Sequence, residues 1–95
     1  MLEKELNKKE MKELFEAILQ LKDATECRNF FRDLCTFGEL TAMAERLEVV
    51  KQVENKIPYR KIADNTGAST ATVTRVAHWF HHGMGGYKLV LDRLK

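Results

Sequence analysis

Small and hydrogen-bonding side chains are concentrated between Gly67 and Met84, a stretch that contains no Asp or Glu. A helix beginning just after Ser69 would place five of them on one face: Thr70, Ala71, Thr74, Arg75 and His78. Side chains of this kind can approach the edges of DNA bases without a steric barrier and can hydrogen-bond to them. The chemistry that this stretch favours is therefore the direct recognition of bases in a DNA groove.

Three histidines lie at the end of the same stretch, at positions 78, 81 and 82. His78 and His82 are four residues apart, so on a helix they could share a metal ion. No carboxylate or cysteine is near in sequence to complete such a site, and we predict no metal and no other cofactor. We also predict no enzyme, because the glycines at 83, 85 and 86 follow a helix and lack the Lys-Ser/Thr of a phosphate-binding loop.

Two short helices joined by a glycine turn would position the base-reading side chains. Pro58 suits the first position of a helix that ends near Asn65 or Thr66, and Gly67 suits its left-handed C-cap. Ser69 is an N-cap candidate for the second helix. That helix has an apolar stripe on its other face: Val73, Val76, Ala77 and Phe80. Residues 57–82 are thus predicted to form a helix-turn-helix; the alternative is a helical hairpin whose polar face is merely solvated.

Four more helices are predicted from apolar residues at helical spacing. They run from about Asn7 to Leu21, from Asp23 to about Cys35, from about Phe37 to Glu54, and from about Tyr87 to Leu94. No stretch alternates as a β-strand does. The predicted fold is all-α, with about six helices in a single domain over 1–95: dimerisation helices in 1–55, the helix-turn-helix in 57–82 and a C-terminal helix in 84–95.

Charge and composition agree with a nucleic-acid partner. The net charge of the 95 residues is +2, but residues 1–55 hold 9 Lys and Arg against 12 Asp and Glu, and residues 56–95 hold 7 against 2. The basic half is the half with the helix-turn-helix, and a positive field favours a polyanion such as DNA. A charged N-terminus and the lack of a long apolar run predict a cytoplasmic protein without a membrane partner. Cys27 and Cys35 are predicted to be buried free thiols.

The apolar helix faces exceed what a chain of this length can bury alone, so we predict a homodimer. A two-fold dimer would present two reading helices to successive major grooves. It would therefore prefer a palindromic site whose half-sites lie one helical turn, roughly 34 Å, apart.

The stretch TGASTATVTR, Thr66 to Arg75, and the preceding TFGELTAMAER resemble the Trp repressor family, in particular its Trp repressor-like branch from low-GC Gram-positive bacteria. The resemblance extends from about Leu34 to His82. It implies a transcriptional regulator that folds as an intertwined, all-helical dimer of six-helix chains. It also implies the DNA-contacting residues: Arg60, Ser69, Thr70, Ala71 and Thr74. Lys56 and Lys61 are expected to contact phosphate.

The resemblance extends only partly to the pocket in which the Trp repressor binds tryptophan. Thr36, Arg46, Thr72 and Arg75 fall on positions around that corepressor. Val76 replaces a small glycine, however, and Trp79 replaces a serine, so we expect an occluded pocket that does not take tryptophan. Trp79 is expected to pack its indole between helices, against Arg75 or Arg46. The alternative is that it forms one wall of a pocket for another small molecule.

Together these features predict a sequence-specific DNA-binding transcriptional regulator, expected to be a repressor, whose partners are double-stranded DNA and a second copy of the chain. Two alternatives remain open. One is a dimeric helical module that binds another protein; the other is a regulator that responds to a different small-molecule effector.

Overall fold

A computed structural model of the chain describes the backbone of residues 2–95 and the side chains of residues 3–95. It divides the chain into two compact units, one reaching to Phe37 and the other spanning Gly38 to Lys95. Seven helices and no strand are found in residues 2–95, which confirms the predicted all-α class.

The first unit contains three helices: α1 (Leu2–Glu5), α2 (Lys9–Ile18) and α3 (Ala24–Leu34). The four-residue α1 was not predicted. Asp23 caps α3 as expected, because its carboxylate accepts a hydrogen bond from the backbone N–H of Glu26 at 2.9 Å. The Glu26 carboxylate accepts from the N–H of Lys22, also at 2.9 Å, rather than from that of Asp23. The spacing of Asp23 and Glu26 predicts a capping box, in which Glu26 would accept the N–H of Asp23. The N-cap is confirmed, whereas the second bond of the box is shifted by one residue.

The apolar stripes of α2 and α3 are not buried within one chain. The stripe predicted for the first of these helices consists of Met11, Leu14, Phe15, Ile18 and Leu19, and that predicted for the second consists of Cys27, Phe30, Phe31, Leu34 and Cys35. Neither α2 nor α3 has a buried residue. Phe30 and Phe31 meet edge to face with ring centroids 5.6 Å apart, yet both are only half-buried. Cys27 is exposed and Cys35 half-buried, so the prediction of buried thiols is wrong within the chain, although both are free. An apolar stripe is buried only where a second surface covers it. A single chain provides too little covering surface for α2 and α3.

The second unit contains most of α4 (Phe37–Glu54), followed by α5 (Tyr59–Thr66), α6 (Thr70–His82) and α7 (Gly86–Leu94). Its core joins all four helices: Val49, Val50, Val53, Ile62, Ala68, Val73, Val76, Ala77 and Leu91. The predicted bounds of α4 are confirmed. The apolar spacing of α4 predicts a core face of Leu40, Met43, Leu47, Val50 and either Val49 or Val53. This face is only partly confirmed, because the buried residues lie in the last six positions of α4, while Leu40 and Leu47 are half-buried and Met43 is exposed.

Glu54, at the end of α4, links that helix to α7. Its carboxylate pairs with Nζ of Lys95 at 3.2 Å and with Nζ of Lys88 at 3.7 Å, and its side chain is only 15% exposed. Leu91 of α7 is buried beside this ion-pair network. Because α7 contributes a single buried side chain to the core, these charges add a second attachment to α4.

Candidate nucleic-acid interface

The turn between α5 and α6 has the backbone geometry that the glycine predicted. Gly67 has φ 80° and ψ −2°, the left-handed region, and its N–H donates to the carbonyl of Ala63 at 2.9 Å. A Cβ added at Gly67 would meet no atom within 4 Å. The backbone angles, rather than a lack of space, are therefore what favour glycine here. Pro58 is the N-cap of α5 and Tyr59 its first helical residue, one position later than predicted.

Side-chain hydroxyls on both sides of the turn hold α6 in place. Ser69 is confirmed as the N-cap: its Oγ accepts from the N–H of Thr72 at 3.1 Å and donates to Oγ1 of Thr72 at 3.0 Å. Thr66 donates its hydroxyl to the carbonyl of Ile62 at 2.8 Å and accepts the N–H of Ala68 at 3.2 Å. The Ser69 hydroxyl, predicted to contact DNA, therefore already serves the start of the helix.

The two faces of α6 separate as predicted. Val73, Val76 and Ala77 are buried, whereas Phe80 is only half-buried. The opposite face is exposed and carries all five of the predicted base-reading residues: Thr70, Ala71, Thr74, Arg75 and His78. The hydroxyl of Thr74 donates to the carbonyl of Thr70 at 3.0 Å, so its methyl group and its oxygen lone pairs are the parts left for an outside partner. The structure thus presents a helix face of small side chains to solvent.

Three cations predicted to contact DNA lie on or beside α5. Lys56, Arg60 and Lys61 are all exposed. Across residues 3–95, none of their three side chains takes part in a hydrogen bond or ion pair. The helices α5 and α6 together contain one carboxylate, Asp64. Exposed cations without an internal counter-ion can neutralise phosphates on an outside partner.

A hydrogen bond that the sequence did not reveal attaches α5 to α4. The side-chain amide of Asn65 donates to Oε1 of Gln52 at 2.9 Å, and the amide of Gln52 donates to Glu48 at 3.4 Å. Gln52 and Asn65 are thirteen residues apart, and neither belongs to a local motif. No periodicity could have indicated this bond, which helps to set the position of α5.

The six positions of the expected tryptophan pocket are not all in one unit. Thr36 belongs to the first unit, and the other five belong to the second. Arg46 and Arg75 are exposed, and the side chain of neither has a hydrogen bond or ion pair within the described chain. Thr72 is half-buried and receives the hydroxyl of Ser69. Val76 is 2% exposed, so its branched side chain is part of the core.

Trp79 does not pack between helices. Its side chain is 55% exposed, and its ring neighbour is His78, edge to face at 5.4 Å, rather than either arginine. The expectation of a core tryptophan is therefore wrong within the chain. Trp79 instead forms one wall of an apolar pocket of about 500 Å³ in the second unit, with these other lining residues: Leu47, Gly83, Met84, Gly86, Tyr87 and Val90. Trp79 lies beside this pocket because α6 ends three residues later, and from Gly83 onward the chain turns away from the helix axis.

The described residues contain neither a cluster of metal ligands nor a membrane-spanning helix. No group of three or more His, Cys, Asp or Glu is placed to hold a metal ion in that part of the chain. None of its helices is long and apolar enough to cross a membrane.

Comparisons with known proteins agree with this geometry. The sequence model of the family described as Trp repressor protein matches residues 9–95. Over 90 residues the chain is 47% identical to the uncharacterized protein YerC of Bacillus subtilis (strain 168), covering 95% of this chain and 86% of YerC.

Two solved structures are similar throughout. A TrpR-like protein from Eubacterium eligens ATCC 27750 has a TM-score of 0.92 at 42% identity, with 96% of this chain and 94% of that chain covered. A candidate Trp repressor from Staphylococcus aureus has a TM-score of 0.92 at 39% identity, with 99% and 94% covered. The resemblance inferred from the sequence is thereby confirmed.

Proposed function

Because the chain belongs to the Trp repressor protein family, a family of DNA-binding regulators rather than enzymes, we propose that it is a sequence-specific transcriptional repressor. We propose further that it works as an intertwined homodimer on a palindromic operator and does not use tryptophan as corepressor.

One observation carries the DNA-binding part of the proposal. The exposed face of α6 consists of small and hydrogen-bonding side chains, and it follows a capped turn beside three cations that have no partner in the described chain. Small and hydrogen-bonding side chains allow a helix to approach base edges closely in the major groove, and the complex is stabilised when nearby cations meet phosphate. Both conditions are met on α5 and α6.

The residues divide into two roles. Arg60 has the fork of donors that pairs with two acceptors of guanine, while Thr70 and Thr74 offer a hydroxyl or a methyl group to a base edge. Ala71 allows close approach. Lys56 and Lys61 meet phosphate, which positions the protein without selecting a sequence. Ser69 acts at the start of α6, where its cap orients the helix.

The homodimer is supported by the uncovered apolar faces of the first unit. Phe15 is 46% exposed, Leu34 50% and Leu19 80% in the single chain. Apolar side chains at helical spacing of this kind are usually covered by a partner. Sedimentation is expected to show a dimer at micromolar concentration, and a monomer would contradict the proposal.

Tryptophan independence rests on Val76 and Trp79. A buried valine and a large indole occupy two positions where the family's pocket has small residues. Free tryptophan is therefore expected to change neither the melting temperature nor the affinity for DNA. A ligand that binds the folded state at a hundred times its Kd adds about 2.7 kcal/mol of stability, so an upward shift of several degrees in calorimetry would overturn this reasoning.

The direct experiment is a selection of random duplex DNA by the purified chain without added ligand. We expect enrichment of a palindrome with half-sites about one helical turn apart. The matched variants are Lys61→Ala, which removes a cation beside the reading helix, and Lys12→Ala, which removes an exposed cation from α2. Weaker binding by the first variant alone supports the proposed surface. Equal effects, or no enriched palindrome, contradict it.

A second candidate function follows from the pocket beside Trp79. An apolar cavity of about 500 Å³ next to the end of α6 is large enough for a small molecule, so the protein can alternatively be a regulator with an effector other than tryptophan. The selection separates the two candidates, because an effector-dependent regulator enriches its operator only when the effector is added.

A third candidate, a dimeric module that binds another protein, differs from a DNA-binding regulator in how its binding responds to salt. Binding through several phosphates weakens steeply as salt rises, whereas an apolar protein contact changes little.

A further inference from the structure

The last two turns of α6 carry a pair of histidines, His78 and His82, to which the proposed function assigns no contact. His78 and His82 are both exposed, and their ring centroids are 5.2 Å apart with an angle of 44° between the ring planes. Within residues 3–95 neither ring takes part in a hydrogen bond or an ion pair. The nitrogen lone pairs of both imidazoles are therefore available to an outside ligand.

The separation of the two rings matches a shared metal ion. Imidazole nitrogens bind late first-row metals at about 2.0 Å, so two rings in tetrahedral arrangement around one ion have centroids roughly 5 Å apart. A helix presents residues four apart on one face, as in the metal-binding pair of an HExxH helix. The observed centroid separation of 5.2 Å is therefore compatible with one ion shared by His78 and His82, with side-chain rotation setting the direction of the nitrogens.

The surroundings of the pair also favour a cation. His82 is the last residue of α6, and the carboxyl end of a helix attracts positive charge. Trp79 supports the ring of His78 edge to face at 5.4 Å. The third histidine, His81, lies against Phe80 with ring centroids 5.1 Å apart, and its ring centroid is 6.3 Å from that of His82, farther than the 5.2 Å that separates His78 from His82.

We propose that His78 and His82 form a two-imidazole binding site for a divalent late transition-metal ion, such as Ni²⁺, Zn²⁺ or Cu²⁺, with water in the other coordination positions. The sequence disfavoured a metal site because no third protein ligand is near. Two imidazoles suffice for a site of moderate affinity when water supplies the rest, and imidazole is a preferred ligand of these metals. The proposed function gives neither histidine a specific contact, although His78 lies on the face of α6 that is expected to approach DNA.

The test uses the single tryptophan of the chain as reporter. Full-length protein without a polyhistidine tag is titrated with Ni²⁺, a paramagnetic ion that does not oxidise the exposed thiol of Cys27. An ion held by His78 lies close to Trp79, so its fluorescence is expected to fall in a saturable manner at micromolar Ni²⁺. Isothermal calorimetry on the same samples measures binding independently of the fluorophore.

Three variants locate the site. His78→Asn and His82→Asn are each expected to raise the Ni²⁺ midpoint at least about tenfold, since each leaves a single imidazole. His81→Asn is the matched control and is expected to change the midpoint less than about threefold, because it removes an imidazole of the same helix end that is not part of the pair. Circular dichroism confirms that each variant remains folded.

The proposal is overturned if wild-type protein shows no saturable binding up to about 1 mM Ni²⁺, or if either pair variant binds like wild type. It is also overturned if His81→Asn weakens binding as much as the pair variants do. All of these readouts are made without DNA, so they succeed or fail separately from the selection experiment.

Discussion

Ser69 is the N-cap of α6 and is also predicted to contact DNA. Substitutions at this position can separate the two roles. Ser69→Ala removes the hydrogen bond from the N–H of Thr72, 3.1 Å long, and the one to Oγ1 of Thr72, 3.0 Å long. Losing a serine N-cap costs about 1 kcal/mol, within a range of about 0.5 to 2 kcal/mol. The hydroxyl-to-hydroxyl bond is exposed, so water replaces it and it adds little. For a chain of this length, about 1 kcal/mol lowers the melting temperature by roughly 4–8 °C.

Two further substitutions isolate the cap from DNA contact. Asn and Asp are as good N-caps as Ser, so Ser69→Asn and Ser69→Asp are expected to melt within about 2 °C of wild type. On the proposed interface Ser69→Asn also keeps most DNA affinity, whereas Ser69→Asp loses at least about tenfold, because its negative charge lies where phosphate approaches.

The control is Thr72→Ala, which keeps the backbone N–H that Ser69 caps and is expected to change stability little. Differential scanning calorimetry measures stability, and fluorescence anisotropy with the selected duplex measures binding. The cap argument is refuted if Ser69→Ala melts like wild type. The placement of the start of α6 against DNA is refuted if Ser69→Asp binds like wild type.

Three sets of substitutions test the cations, the turn and the attachment of α7. Arg60→Ala is expected to weaken binding to the preferred site by roughly 1–3 kcal/mol and to relax specificity at one base pair; Lys61→Ala should weaken all sequences alike and reduce the salt slope by about one. Unchanged affinity would remove either residue from the interface. Gly67→Ala is expected to destabilise by roughly 1–2 kcal/mol, because alanine must adopt φ 80°, and Gly67→Asn by less. Chemical denaturation measures both, and equal losses would refute the backbone argument. Glu54→Gln is expected to cost about 1 kcal/mol at low salt, by loss of the pairs with Lys88 and Lys95, and less in about 1 M NaCl. If Glu54→Gln lowers the melting temperature equally at low and high salt, the loss comes from altered packing rather than from the ion pairs.

Local signals in the sequence predicted the helix-turn-helix with little error. Gly67, Ser69 and Asp23 each act through hydrogen bonds within four residues along the chain, so their roles depend on the neighbouring sequence alone. The position of Pro58 differed by one residue because proline is accepted both as N-cap and as first helical residue. The extra helix α1 spans a single turn, which is too short for apolar periodicity to detect.

Burial was predicted less well, because periodicity reports that a helix face is apolar and not what covers it. The stripes of α2 and α3 were correctly recognised, yet no residue of either helix is buried in one chain. On α4 the same kind of stripe is buried only where α5, α6 and α7 reach it, at Val49, Val50 and Val53. Whether an apolar stripe is buried therefore depends on which other helices pack against it, and the sequence of the stripe does not contain that information.

By itself, the sequence determined the all-helical class, the turn at Gly67, the cap at Ser69 and the family to which the chain belongs, since all of these depend on short-range hydrogen bonds and residue patterns. Only the tertiary structure decided that Trp79 lines a pocket, that Glu54 holds α7 through Lys88 and Lys95, and that Asn65 reaches Gln52. These contacts join residues far apart in the chain or depend on where a helix ends. Their energies come from distances and burial that exist only after the helices have packed.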